Sequence, residues 1–167
     1  MKQLLNRLIN HETISKAEAR EALVNISNGE YNESQIAAFL TVYMMRSITI
    51  EELEGFRDAL LELCLAVDLK DYAPVDLCGT GGDGKDTFNI STVSSFITAG
   101  AGVPVAKHGN YGVSSASGSS NGMEYLGIKF SDDVAFLEKC IDKAGICILH
   151  APLFNPAMKT VAPIRKS

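Results

Sequence analysis

A chain of 167 residues with 46% apolar side chains is long enough to bury a core, as one domain or as a small domain joined to part of a larger one. Its net charge of −5 gives no attractive field for nucleic acid, so an anionic ligand has to be held locally, by backbone N–H groups, a placed lysine and a metal ion. The four cysteines, Cys64, Cys78, Cys140 and Cys147, have no C-x-x-C spacing, and Arg7, His11 and Glu12 interrupt any apolar leader, so core thiols of a soluble cytoplasmic protein are expected.

The first part reads as helices alone. Leu4, Leu5, Leu8 and Ile9 mark a short opening helix. Ser15 and Glu18 have capping-box spacing ahead of Ala19, Leu23 and Ile26, and Asn28 with Gly29 ends that helix. A third helix starts near Asn32 or Ser34 and carries Ile36, Phe39, Leu40, Tyr43 and Met44. A fourth starts at Thr49 with Glu52 and carries Leu53, Phe56, Leu60 and Cys64. Residues 1–67 are therefore predicted to be a helical domain. The apolar surplus of Ile36, Phe39, Tyr43 and Met44 is accounted for by packing inside it or against a second subunit. Residues 68–74 read as a linker.

From Val75 the rhythm changes to short apolar segments alternating with helices. Val75–Cys78, Val103–Ala106 and Ile146–His150 are apolar; helices are predicted at Ser91–Gly100, near Asn121–Leu126 and at Asp132–Ala144, with a short step at Lys129–Phe130. That order predicts a mainly parallel sheet with binding loops along one edge. The fold class is α/β: a small all-helical N-terminal domain followed by part of an α/β domain over residues 75–167. Pro156 suits the first turn of a last helix, which Pro163 stops.

Two connections carry the chemistry. Asp76-Leu77-Cys78-Gly79-Thr80-Gly81-Gly82-Asp83 leads into Thr87-Phe88-Asn89-Ile90-Ser91-Thr92, so glycines that let N–H groups converge stand before a helix start whose dipole favours negative charge. No Lys-Ser/Thr pair closes the turn, and the glycines are not spaced G-x-G-x-x-G, so neither a triphosphate loop nor a dinucleotide loop fits. Asp83 is expected to face a cation, a ribose hydroxyl or an amine. The second connection is Lys107-His108-Gly109-Asn110-Tyr111-Gly112-Val113-Ser114-Ser115-Ala116-Ser117-Gly118-Ser119-Ser120-Asn121, rich in hydroxyl donors and read as a polar loop with Lys107 as its point charge. Two donor-rich loops, each after a candidate strand, are best explained by one shared phosphate or diphosphate ligand.

With Pro156-Ala157-Met158-Lys159 and Pro163-Ile164-Arg165 following in order, these motifs make the chain resemble the anthranilate phosphoribosyltransferase family along nearly its whole length. The resemblance implies transfer of a 5-phosphoribosyl group from phosphoribosyl diphosphate (PRPP) to the amine of anthranilate, in tryptophan biosynthesis. It implies PRPP contacts from Gly79, Gly82, Asp83, Thr87, Asn89, Ile90, Ser91 and Thr92 in the first connection. In the second it implies contacts from Lys107, His108, Gly109, Asn110, Tyr111, Gly112, Val113, Ser114, Ser115 and Ser119. Gly79, Asn110 and Arg165 are expected to bind anthranilate, and Ser91 to be a ligand of Mg²⁺. No residue is assigned as acid or base. A homodimer through the helical domain is also implied. Tyr111 stands where the family commonly has Arg, Ser120-Asn121 where it has Ala-Asp, and Asn155 where it has His. Family members continue past Ser167, so an N-terminal portion, with little activity of its own, is the expectation. A pyrimidine nucleoside phosphorylase of the same fold and a non-catalytic binding or dimerisation fragment are the competing readings.

Overall fold

The computed structural model describes residues 1–79, 88–112 and 117–164. They divide into two compact units, Met1–Leu65 with the segment from Asn155, and Ala66–Phe154.

The first unit is built of helices α1 (Lys2–Ile9), α2 (Lys16–Ser27), α3 (Glu33–Met45) and α4 (Ile50–Leu63). Each of the last three starts on a capping box, Ser15/Glu18, Asn32/Gln35 and Thr49/Glu52, in which the cap side chain accepts the N–H of the third helical residue and the acid or amide reaches back. The positive φ of Gly29 then carries the chain away from α2. Leu8, Ile14, Ala19, Ala22, Ile26, Ile36 and Phe39 form the core, and the rings of Phe39, Tyr43 and Phe56 meet edge to face at 5.1–6.0 Å. Gly55 is the contact point between α4 and α2: a Cβ there would lie 2.3 Å from the Lys16 carbonyl oxygen. Ile36 and Phe39 are thus claimed by the chain's own core, whereas Met44 of the same stripe stays exposed.

One ion pair is buried in this unit. Glu52 is fully enclosed, accepts the N–H groups of Ile14 (3.1 Å) and Thr49 (2.9 Å), and is paired with Arg46, whose guanidinium also lies over the Tyr43 ring at 4.6 Å. Burial pushes the Glu52 pKa up, but the hydrogen bonds from Arg46, Thr49 and Ile14 outweigh it and leave the carboxyl below its ordinary range.

In the second unit, residues 68–74 are not a free tether: Leu69 is buried, and Val67 and Tyr72 pack against the same cluster. The unit holds α5 (Ile90–Gly100), β1 (Val105–Gly109), α6 (Ser119–Tyr125), α7 (Val134–Ala144), β2 (Ile146–His150) and α8 (Ala151–Phe154). β1 and β2 pair in parallel, Val105 opposite Ile146 through Gly109 opposite His150, with α7 returning the chain between them. Of the apolar segment Val75–Cys78, only Val75 joins the sheet, by one parallel bridge to Val105. β1 starts two residues later than the apolar stretch suggests and runs into the polar motif, so Lys107 and His108 are strand residues rather than loop residues. Lys129–Phe130 forms no strand. Of the four free thiols only Cys147 is buried, and Cys78 is exposed, which corrects the reading of all four as core groups. Among the described residues no helix is long and apolar enough to cross a membrane.

The segment after Asn155 forms a short helix, α9 (Met158–Val161). Val161 is buried in the core of the first unit, and Met158 and Ile164 pack on it. The sequence pattern groups residues 155–167 with the α/β part; spatially the described portion joins the helices, because its apolar side chains face theirs.

Candidate functional site

The first connection is clipped to β1 at three successive residues. Val75 bridges Val105; the Asp76 carboxylate accepts the His108 N–H at 3.1 Å and lies 3.4 Å from its Nδ1; and Lys107 Nζ donates to the Leu77 carbonyl at 2.7 Å. Lys107 is 1% exposed, and burial lowers its pKa while Cys78 and Asp76 pull the other way. Its amine therefore anchors the backbone just before the glycine turn, a different place from the loop cation that the sequence suggests.

That anchor sets Gly79 against the start of α5. A Cβ on Gly79 would lie 3.1 Å from Ser91 Oγ, so the backbone passes close over this hydroxyl. Asn89 caps α5, its Oδ1 accepting the Thr92 N–H at 3.2 Å, and Ser91 Oγ is 3.4 Å from the same oxygen. The cap is Asn89, two residues before the predicted helix start. Ile90 is exposed, while Thr92 is buried with a hydroxyl that has no hydrogen-bond partner among the described residues. The eleven-residue helix thus presents its N-terminal dipole, Ser91 and Asn89 beside a close-passing glycine, which suits an anion.

The second connection is held by the start of α6. Ser119 Oγ accepts the Asn110 N–H (3.2 Å) and bonds the Asn110 carbonyl (3.3 Å), which also accepts the Ser120 N–H (3.1 Å). Asn121 Oδ1 accepts from both Gly112 N–H (3.0 Å) and Gly118 N–H (2.9 Å), closing the two ends of the loop on one oxygen. The Asn110 side chain accepts the Tyr111 N–H at 2.8 Å. Tyr111 donates its hydroxyl to Glu124 at 2.7 Å, which raises the tyrosine pKa, and its ring meets His150 edge-on at 4.9 Å. Gly109, opposite His150 in the sheet, lies so near Ser119 that a Cβ would come 2.6 Å from its hydroxyl.

The structure therefore brings Gly79 together with Asn89 and Ser91, and gathers Gly109, Asn110, Tyr111, Gly112 and Ser119 into a second group joined through β1. Gly82, Asp83, Thr87, Val113, Ser114, Ser115 and Arg165 lie outside the described residues. Three participants are absent from the sequence-based site: Asp76, Asn121 and His150. His150 ends an apolar strand, and a parallel pairing of that strand with Lys107-His108-Gly109 is the signal that would have found it.

Comparison with known proteins places these motifs. Residues 71–167 match the glycosyl transferase family, a/b domain, and residues 2–64 match the glycosyl transferase family, helical bundle domain. The anthranilate phosphoribosyltransferase of Christiangramia forsetii is 80% identical over 167 residues, all of this chain and 50% of that protein. That of Flavobacterium psychrophilum is 78% identical over 166 residues, 99% of this chain and 50% of that protein. The chain thus spans about half the length of the curated relatives it matches. Among solved structures, the Saccharomyces cerevisiae anthranilate phosphoribosyltransferase in complex with PRPP and Mg superposes with a TM-score of 0.84 at 27% identity, over 97% of this chain and 49% of that one. The Thermus thermophilus anthranilate phosphoribosyltransferase gives 0.76 at 29% identity, over 97% and 49%.

Proposed function

As the chain belongs to the glycosyl transferase family that joins a helical bundle domain to an a/b domain, we propose that it works in Mg²⁺-dependent transfer of the 5-phosphoribosyl group from PRPP to anthranilate. The observation that carries this reading is the seat formed where Gly79 passes over Ser91 at the opening of α5. The names of the similar proteins support the transferase over the phosphorylase.

The chemistry fits the residues. Breaking the anomeric C–O bond leaves negative charge on diphosphate, and the positive end of the α5 dipole, with the Ser91 hydroxyl, stabilises that charge without reorganising. Ser91 Oγ and Asn89 Oδ1 are hard oxygens of the kind Mg²⁺ takes. Ser91 would hold the ion jointly with the diphosphate oxygens. When bound, the ion neutralises leaving-group charge. Asn110, Gly79 and Arg165 are the residues proposed to hold anthranilate, the guanidinium suiting its carboxylate. An arylammonium loses its proton readily, so orientation and charge stabilisation carry the step and no general base is needed.

Calorimetric titration with PRPP in the presence of Mg²⁺ tests the seat. Wild type is expected to bind. Ser91→Ala is expected to bind at least about tenfold more weakly and, in anthranilate consumption by the full-length transferase, to turn over about 100-fold more slowly. No binding by wild type, or equal binding by both, overturns the assignment.

Self-association is part of the same proposal, carried by the part of that apolar surplus left exposed. Met44 (86% exposed), Met45 (80%) and Ile50 (78%) stand together with Ile48 and Leu53 at the α3–α4 turn, an apolar surface that a partner subunit would cover. Sedimentation of wild type is expected to give a dimer that Met44→Asp with Met45→Asp dissociates; a monomeric wild type at micromolar concentration refutes it.

A further inference from the structure

His150 lies outside every binding role assigned above, yet the second connection is built around it. The ring is 5% exposed at the end of β2. Phe130 stacks on one face at 4.2 Å and 14°, Tyr111 meets it edge-on, and Nδ1 is 2.8 Å from Ser120 Oγ. Ser120 is itself fully buried, and its N–H holds the Asn110 carbonyl. One imidazole thus touches Tyr111 directly and reaches Asn110 through Ser120. The next residue, Asn121, closes Gly112 and Gly118 onto one oxygen. Tyr111, Ser120 and Asn121, three of the four positions where the sequence departs from its family pattern, fall in this one cluster.

We propose that His150 is a positioning residue for the donor loop: through the Nδ1–Ser120 bond and the Tyr111 contact it fixes the backbone of residues 109–112. The inference rests on the reading of that loop as part of a PRPP site. An apolar residue of similar volume fills the same space between Phe130 and Tyr111 but leaves the buried Ser120 hydroxyl without its partner, and the start of α6 is then free to shift with Asn110 attached. Asparagine and glutamine separate hydrogen bonding from packing. The amide of asparagine reaches the place of Nδ1, whereas that of glutamine reaches the place of Nε2, and both lose the ring stack.

The test uses this 167-residue chain and two readouts: amide hydrogen exchange at Gly112, Gly118 and Ser120, and PRPP affinity in Mg²⁺. His150→Gln and His150→Leu are expected to speed exchange at those amides at least about tenfold and to weaken PRPP binding about tenfold, with exchange in β1 unchanged. His150→Asn is expected to restore both to within about threefold of wild type. Ser120→Ala is expected to match His150→Leu, and the double variant to be no worse than either single one, as for two halves of one contact. Equal exchange in His150→Asn and His150→Gln overturns the proposal, as does faster exchange with unchanged PRPP affinity. If wild type binds no PRPP, the functional reading fails, while the exchange pattern still decides whether His150 positions the loop.

Discussion

Glu52→Ala is expected to lower the stability of the helical unit by about 3–5 kcal/mol, with a fall of more than about 10 °C in the melting of its helices. Three donors lose their acceptor at once: the Ile14 N–H, the Thr49 N–H and the Arg46 guanidinium, which is left charged and enclosed over Tyr43. An apolar replacement of the ion pair alone is often harmless, but here the two backbone N–H groups have no second acceptor among the described residues. Arg46→Met with Glu52→Leu is therefore expected to recover only part of the loss. Acid acts on the same carboxylate. Its folded pKa is depressed, so its contribution is fully present above the unfolded carboxyl value of 4.5 and is lost as pH falls through the folded one. Circular dichroism melts, with hydrogen exchange over α1–α4 to separate this unit from the other, give the measurement. A loss under about 1 kcal/mol would mean that water reaches the pair and that it does not hold the unit together.

Glu52 also shows what the sequence reveals and what it hides. Thr49-x-x-Glu52 is legible as a capping box because each partner lies within one turn of the other, and the same holds for Ser15 with Glu18. The burial of Glu52 and its bond from the Ile14 N–H depend on where the chain ahead of α2 comes to rest, which no local pattern encodes. Lys107 is the counterpart in the α/β unit. Strands buried on both faces lack alternation, so Val105, Ala106 and Lys107 are buried in succession, and a lysine at the end of such a run reads as the start of a loop. Its carbonyl partner, Leu77, is thirty residues away. The proposed anion seat is legible because glycine turn and hydroxyls are contiguous, although its cap, Asn89, lies before the helix start that the pattern gives. The docking of Met158, Val161 and Ile164 on the helical core is not, since four-residue α9 has no periodicity to read.

The second large effect is expected from one methyl group at Gly118. This residue precedes α6 with φ −89° and ψ 179°, an extended conformation that alanine adopts without strain, so the backbone itself does not demand glycine. Space does. A Cβ would lie 2.3 Å from Gly112 N, 2.5 Å from the Tyr111 carbonyl carbon and 2.6 Å from the Asn110 carbonyl oxygen, all backbone atoms with no flexible end to yield. Gly118→Ala must push residues 110–112 away by about 1 Å, stretching the bonds from Gly112 and Gly118 to Asn121 and from Ser120 to Asn110. A stability loss of about 1–3 kcal/mol is expected from the overpacking. If residues 109–112 help seat PRPP as proposed, displacement on that scale lowers turnover about 100-fold in the transferase that carries it. Gly122→Ala is the control. It lies four residues on, inside α6, with nothing within 4 Å of the place its methyl would take, and exchanging a helical glycine for alanine should stabilise by about 0.4–1 kcal/mol. Thermal melts and PRPP titration of the two variants side by side give opposite signs for stability and a loss of affinity for Gly118→Ala alone. Matching behaviour of the two alanines would show that residues 110–112 retreat freely from Gly118, and that the loop is not held in the pose from which its binding role is argued.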